Sequence, residues 1–233
     1  MILAYHFTNY ETLRDGRPIP PRGVPLIHEG PLSICESGLH ASIHPFDALR
    51  HAPGFLLHSV ACESVHGEYS DKLVCSERTI LQSIGAKQLI LKFARDQALS
   101  VSRLWPDMPL DVLRYLEMGE NCELTLATVW EDLARTRGRS LRESPTPGSQ
   151  VRAIEAAWLA ACSEEEAPQA LWAAEAAAMA EAETAAEEAG VAADAAEAEA
   201  DKRKAYWHVF HTEIHNRREQ FRVLVEEAFA KAT

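Results

Sequence analysis

The chain has no C-x-x-C pair: its five cysteines, at positions 35, 62, 75, 122 and 162, are odd in number and far apart. That spacing argues against a disulfide-stapled secreted scaffold and leads us to expect a reducing, cytoplasmic setting. The Met-Ile-Leu-Ala-Tyr-His start has no basic segment ahead of an apolar run, and no window approaches eighteen uninterrupted apolar residues. Neither export nor membrane insertion is expected. Positive charge is missing from one long window. Residues 153–201 hold thirteen Asp and Glu and not one Lys or Arg, so the net charge of −12 resides there and the rest is close to neutral. Such a tail repels phosphate, and direct binding of nucleic acid has no electrostatic basis.

The periodicity of what is present changes twice. Residues 1–82 read as short alternating runs broken by Gly and Pro: a first strand over Ile2–Thr8, a turn-rich loop over Asp15–Gly23, and short strands at Pro25–His28 and Leu32–Cys35. One or two helical turns follow at Asp47–His51. The best strand pair is Leu56–Val65 with Lys72–Leu81. From Ala86 the spacing becomes helical through Leu89, Phe93, Leu99 and Leu104, then through Val112, Tyr115 and Leu116, then from an Asn121 cap through Leu126, Trp130 and Leu133. The expected class is therefore α+β: a small, mainly antiparallel sheet (1–82) followed by helices (86–137) in one domain over 1–137. Gly138–Gln150, with its Ser-Pro-Thr-Pro-Gly, reads as a linker. Residues 151–233 then form an acidic, Ala-rich helical hairpin or coiled coil. Residues 170–200 contain seventeen alanines and eight acids; Pro168 suits a helix start, and Gly190 an end or interruption. The last stripe, Tyr206, Phe210, Ile214, Phe221, Leu224, Val225 and Phe229, needs an apolar partner. That partner is either the Ala-rich helix or a second copy in a homodimer through residues 200–231.

Cys35–Gly54 is the densest segment, with His40, His44, His51, Gly38, Gly54, Pro45 and Pro53 in twenty residues. Gly and Pro at such density, beside Ser37, Ser42 and Asp47, indicate a specified backbone. Tyr5-His-Phe7, Leu13–Pro21, Ser37-Gly-Leu-His-Ala-Ser42, Asp47-Ala-Leu49, Ala52-Pro-Gly54, Asp71-Lys-Leu-Val74, Phe93-Ala-Arg95, Ala98-Leu99 and Arg114–Glu117 resemble, in order and spacing, a family of phage- and bacterium-encoded domains of unknown function. Ala156-Ala-Trp158 and Leu171–Ala174 resemble the Ala-Ala-Trp units of that family's tails. His51 stands where the family prefers Tyr. The resemblance implies a phage or prophage setting, and so the cytoplasm of a bacterial host cell, and brings no activity.

A more distant resemblance concerns chemistry. Tyr5-His-Phe-Thr8 on a first strand, then Gly38-Leu-His-Ala-Ser42 and Asp47-Ala-Leu49, is similar to the opening of ADP-ribosyltransferase-type folds, which hold NAD. The resemblance implies that His6, with Thr8 beside it, contacts the nicotinamide ribose, and that Gly38, His40 and Ser42 shape the nicotinamide pocket. Glu63, Glu68 or Glu77 would then supply the carboxylate opposite an oxocarbenium-like centre. His6, His40, Glu68 and Glu77 are thus the candidate catalytic residues, and His6, Thr8, Gly38, His40 and Ser42 the candidate NAD contacts. Packing and turn chemistry explain His6, Gly38 and Ser42 equally well. The spacings of Cys35, His40, His44, His51, His58, Cys62 and His66 fit no standard zinc site, so no metal is expected. Glu77 and Arg78 fall on opposite faces of their strand by alternation. The rival class is a non-catalytic interaction protein, for anti-defence or host takeover, contacting a host or phage protein through the acidic tail. A structural or assembly component is the third.

Overall fold

The longest alternating runs pair with each other. In the computed structural model, which describes residues 1–34, 36–68, 71–119, 127–129, 131, 134, 147–192 and 198–232, β4 (Leu56–Glu68) and β5 (Leu73–Gly85) form a thirteen-residue antiparallel hairpin. Register shifts between Ser59 and Val60 and between Val65 and Gly67 bend it. Both strands run beyond the pair read from the sequence, which stopped at Val65 and Leu81. β1 (Ile2–Thr8) adds antiparallel to β4, setting Ala4 opposite Val60 and His6 opposite His58. Two short strands divide the outer edge of β5: β2 (Pro25–Ile27) pairs with Thr79–Glu77, and β3 (Leu39–Ala41) with Cys75–Leu73. Leu32–Ile34 forms no strand; Ser33 and Ser37 bridge across a turn instead.

The fold class is α+β, with a five-stranded antiparallel sheet. Immediately after β3, Ser42 exchanges both backbone hydrogen bonds with Tyr5, at 2.7 and 2.9 Å. That pair brings β3 back to β1, so β1, β4, β5 and β3 form a closed circuit around an apolar cluster of Ala4, Leu39, Ala41, Val60, Cys62, Leu73, Cys75 and Ile80.

Helix α1 (Pro45–Leu49) lies against β1. Its N-terminus is capped by His44, whose Nδ1 accepts from the Phe46 amide at 3.2 Å. The remaining described helices are α2 (Lys87–Ser100), a 3₁₀ turn (Ser102–Leu104), α3 (Leu110–Met118), α4 (Gly148–Cys162), α5 (Pro168–Ala192) and α6 (Ala198–Lys231). Contacts divide the chain into two compact units: 1–89 with 166–168 and 220–233, and 90–165 with 169–219. The helix expected from Asn121 through Leu126, Trp130 and Leu133 lies largely outside the described residues, as do Cys35, Cys122 and positions 138–146 of the expected linker.

In the second unit alanine serves as a spacer. Ala173, Ala174, Ala177, Ala178, Ala180 and Ala182 of α5 are all fully buried, although alanine offers little apolar area per residue. Polar ties fix the neighbouring segments: Arg103 to Glu181, Arg152 to Glu155 and Glu183, and the Tyr115 hydroxyl to the Ala160 carbonyl at 3.0 Å. Buried Arg217 donates to Gln97 and pairs with Glu213. A Cβ at Gly190 would strike the Lys202 side chain, so the end of α5 and the start of α6 lie side by side within one chain.

In the first unit the last turns of α6 pack on the sheet. Phe221 meets Phe46 edge-on at 6.2 Å, Phe229 meets Tyr5 at 6.3 Å, and Gln82 donates to the Phe229 carbonyl. Part of the stripe expected to face the Ala-rich helix therefore faces β1 and α1. Phe221 is fully buried. Phe221→Ala should cost about 3–5 kcal/mol, read as a lower urea midpoint; an unchanged midpoint would mean that this ring does not hold the sheet.

Candidate functional site

The circuit of strands opens into a cavity of about 530 Å3 bounded by β1, β3 and β5. His6, Gly38, His40, Ser42 and Arg78 line it, with Arg14, Asp15, Arg17, Glu36, His51 and Lys72 contributed by the surrounding loops. The local backbone explains the position of β3. Gly38 sits at φ +115°, and a Cβ there would approach Val74 Cγ2 to 2.5 Å and Leu32 Cδ2 to 2.8 Å. Only glycine tolerates both the dihedral and the contact. Gly54 closes the same segment: a Cβ there would lie 2.9 Å from Asn9 Cα, so the chain after α1 is pressed against the end of β1.

The cavity is cationic in an acidic chain. Four Arg and Lys side chains line it against two carboxylates, Asp15 and Glu36. Asp15 is engaged by Arg17 at 2.7 Å, which lowers its pKa, and Glu36 accepts from the Ser33 hydroxyl at 2.9 Å. Arg78 is only 6 % exposed, and its Nη1 donates to the His40 carbonyl. Desolvation lowers its pKa, although a guanidinium remains charged throughout the working range. Two of the three cavity imidazoles, His40 and His6, are shifted toward the neutral form. Burial lowers His40 first, then Lys72 and Arg78; desolvation holds His6 well below its ordinary value, with Arg78, His58 and His40 acting in the same direction. Beside Lys72, Asp71 meets His51 Nε2 at 3.2 Å.

Four of the residues singled out from the sequence, His6, Gly38, His40 and Ser42, meet at this cavity. Thr8 and Glu77 lie elsewhere. Thr8 is buried and belongs to the framework, because its hydroxyl donates to the Asn9 carbonyl at 2.7 Å and so accepts from His58 Nε2 at 2.9 Å. His58 Nδ1 then accepts from Ser83 Oγ at 2.7 Å. Burial, then Arg78, lowers the His58 pKa to about 4, so the ring is neutral at ordinary pH, and donation from Nε2 to Thr8 leaves Nδ1 as the acceptor. Glu77 pairs in register with Ile27 and Glu63 and does not line the cavity. Glu68 ends β4, and its side chain lies outside the described residues. Arg78 is the functional candidate that alternation alone underrates. It shares the strand face of Ile80, and only the return of β3 over that face shows what it meets. Arg14 and Arg17 belong to the Leu13–Pro21 loop, whose family-like pattern was the available signal. Among the described residues no group of three or more His, Cys, Asp or Glu could hold a metal ion.

Comparison with known proteins gives no match, whether to family models, to curated proteins or to solved structures.

Two substitutions check this geometry. Gly38→Ala should lower stability by about 2 kcal/mol through strain at positive φ and the clash with Val74, measured by chemical denaturation; a neutral effect would show that β3 can relax. His58 binds its proton less well folded (about 4) than unfolded (6.5). Its contribution is thus complete above pH 6.5 and is lost as pH falls toward 4, by up to about 1.4 kcal/mol per unit. His58→Gln should flatten that part of the pH–stability curve, and an unchanged slope would assign it to other groups.

Proposed function

We propose that the first unit is a nucleotide-binding domain of ADP-ribosyltransferase-like type, with NAD as its ligand, in a phage- or prophage-encoded accessory protein acting inside the bacterial host. The observation that carries this reading is the meeting of His6, Gly38, His40 and Ser42 at one cavity. These are the positions at which the resemblance to NAD-holding folds would put the ribose and nicotinamide contacts. Neutral imidazoles suit such contacts, since they can donate and accept hydrogen bonds to ribose hydroxyls without adding charge. For a transfer step, the described carboxylates at the cavity are Asp15 and Glu36. Asp15 is neutralised by Arg17, so Glu36 is the acid to substitute first.

A second reading, a non-catalytic interaction protein, is favoured by one surface of α6. Trp207 is 50 % exposed and stands in ring contact with Tyr206, Phe210 and His211. Exposed tryptophan in an aromatic group is typical of protein-binding faces.

Thermal denaturation with added NAD separates the two. Under the nucleotide reading NAD raises the melting temperature in a concentration-dependent way, and His6→Ala removes the shift while leaving the far-UV spectrum unchanged. The His6 ring stacks on His58 at 6.5 Å and makes no side-chain hydrogen bond among the described residues, so its loss should be structurally mild. A flat response to NAD in the unaltered protein would rule out the nucleotide reading and leave the interaction reading.

A further inference from the structure

Arg78 is a buried cation for which the protein supplies no matching anion. It is 6 % exposed, and its Nη1 donates to a neutral acceptor, the carbonyl of His40. Among the described residues no carboxylate lies within ion-pair distance of it; Asp15, whose charge it senses, is already held by Arg17. The sheet thiols of Cys62 and Cys75 also sense its charge, as do His6, His40 and His58, and the Cys75 thiol donates to the Leu39 carbonyl. Burying a guanidinium with only a carbonyl partner is expensive, and a fold under selection for stability alone would place an apolar residue there.

Arg78 is not sealed in the core. It lines the cavity, and its N–H groups other than those of Nη1 have no partner among the described residues. Register fixes the backbone on both sides, with Cys62 of β4 opposite and Leu26 of β2 across the other edge, and the Nη1 bond to the His40 carbonyl holds the guanidinium in place. Among the described lining residues the formal charges favour a multiply charged partner: Arg14, Arg17, Lys72 and Arg78 stand against Asp15 and Glu36 in a chain of net −12. A monovalent carboxylate would satisfy one of these cations. A pyrophosphate can satisfy more than one and presents the paired oxygens that a guanidinium fork engages.

We propose that Arg78 anchors a pyrophosphate-binding subsite in this cavity, reading a diphosphate group whether it is free or part of a nucleotide. The subsite does not depend on NAD being the natural ligand. Arg78 donates from its cavity-side nitrogens to the phosphate oxygens while Nη1 keeps its bond to β3, and His40, on the same strand, supplies a neutral hydrogen-bonding ring beside the anion.

The test is thermal denaturation and calorimetric titration of the full chain with inorganic pyrophosphate, ADP and NAD, each against chloride at matched ionic strength. Pyrophosphate is expected to raise the melting temperature and to bind saturably, and Arg78→Met to weaken that binding by roughly tenfold or more. The Met variant itself should melt at or above the temperature of the unaltered protein, because it removes a buried unmatched charge. A purely structural strut would show the opposite pair of results: lower melting for Arg78→Met and no response to pyrophosphate in the unaltered protein. Either that response being absent, or its persisting unchanged in the Met variant, overturns the proposal. Should the Met variant fail to fold, the imidazole resonances of His40 in the unaltered protein decide: a saturable shift with pyrophosphate supports the subsite, and no shift overturns it. NAD binding without pyrophosphate binding would overturn the subsite and keep the NAD reading. Pyrophosphate binding without NAD binding would do the reverse, and tighter binding of ADP than of pyrophosphate would identify a nucleotide as the source.

Discussion

Two backbone hydrogen bonds between Tyr5 and Ser42 determine what the first unit can do. Without them β3 would be a short strand paired only to the outer edge of β5. With them β3 bridges β5 to β1, the strands enclose an apolar cluster, and the segment from Gly38 to Ser42 becomes the wall of a cavity whose other wall carries His6. Gly38 is the local condition for that path, because its dihedral and its contact with Val74 exclude a side chain. The geometry that stabilises the sheet is therefore also the geometry that forms the cavity.

The polar end of that enclosure is built at some cost. His6, His58 and Arg78 share the interior of the sheet with aliphatic residues, and each is shifted toward its neutral form by desolvation. The fold meets this unevenly. His58 is fully satisfied by Thr8 and Ser83 and acts as part of the framework. Arg78 receives only a carbonyl from the fold, which is why it is the residue assigned to a ligand. The distinction separates a buried polar group satisfied by the fold from one that the fold satisfies only in part.

Much of this was legible in the residues themselves. Period-two alternation located β1 and the β4–β5 hairpin, and Pro168 marked the start of α5, because these signals are local. The Gly and Pro of the Cys35–Gly54 segment announced a specified backbone, and Gly38 and Gly54 show the contacts responsible. The failures share a cause in long-range packing. Thr8 reads as a site residue beside His6, yet its partner His58 lies fifty positions away in sequence. The stripe on α6 reads as one surface, but Phe221 and Phe229 meet Phe46 and Tyr5, which no spacing rule connects to it. Arg78 reads only as a strand charge on the face opposite Glu77 until β3 crosses over it. Alanine was underrated for a different reason: its small side chain allows close packing in α5 that its transfer free energy alone does not suggest.

Whether the unmatched guanidinium inside the first unit receives a diphosphate is decided by a crystal structure of the full chain grown or soaked with pyrophosphate in a sulfate-free medium. Density for the diphosphate is expected inside the cavity, with phosphate oxygens at hydrogen-bond distance from the cavity-side nitrogens of Arg78 and with the Arg78–His40 carbonyl bond retained. An empty cavity at saturating pyrophosphate, or diphosphate bound only at surface lysines and arginines away from Arg78, would show that the buried charge has some other purpose.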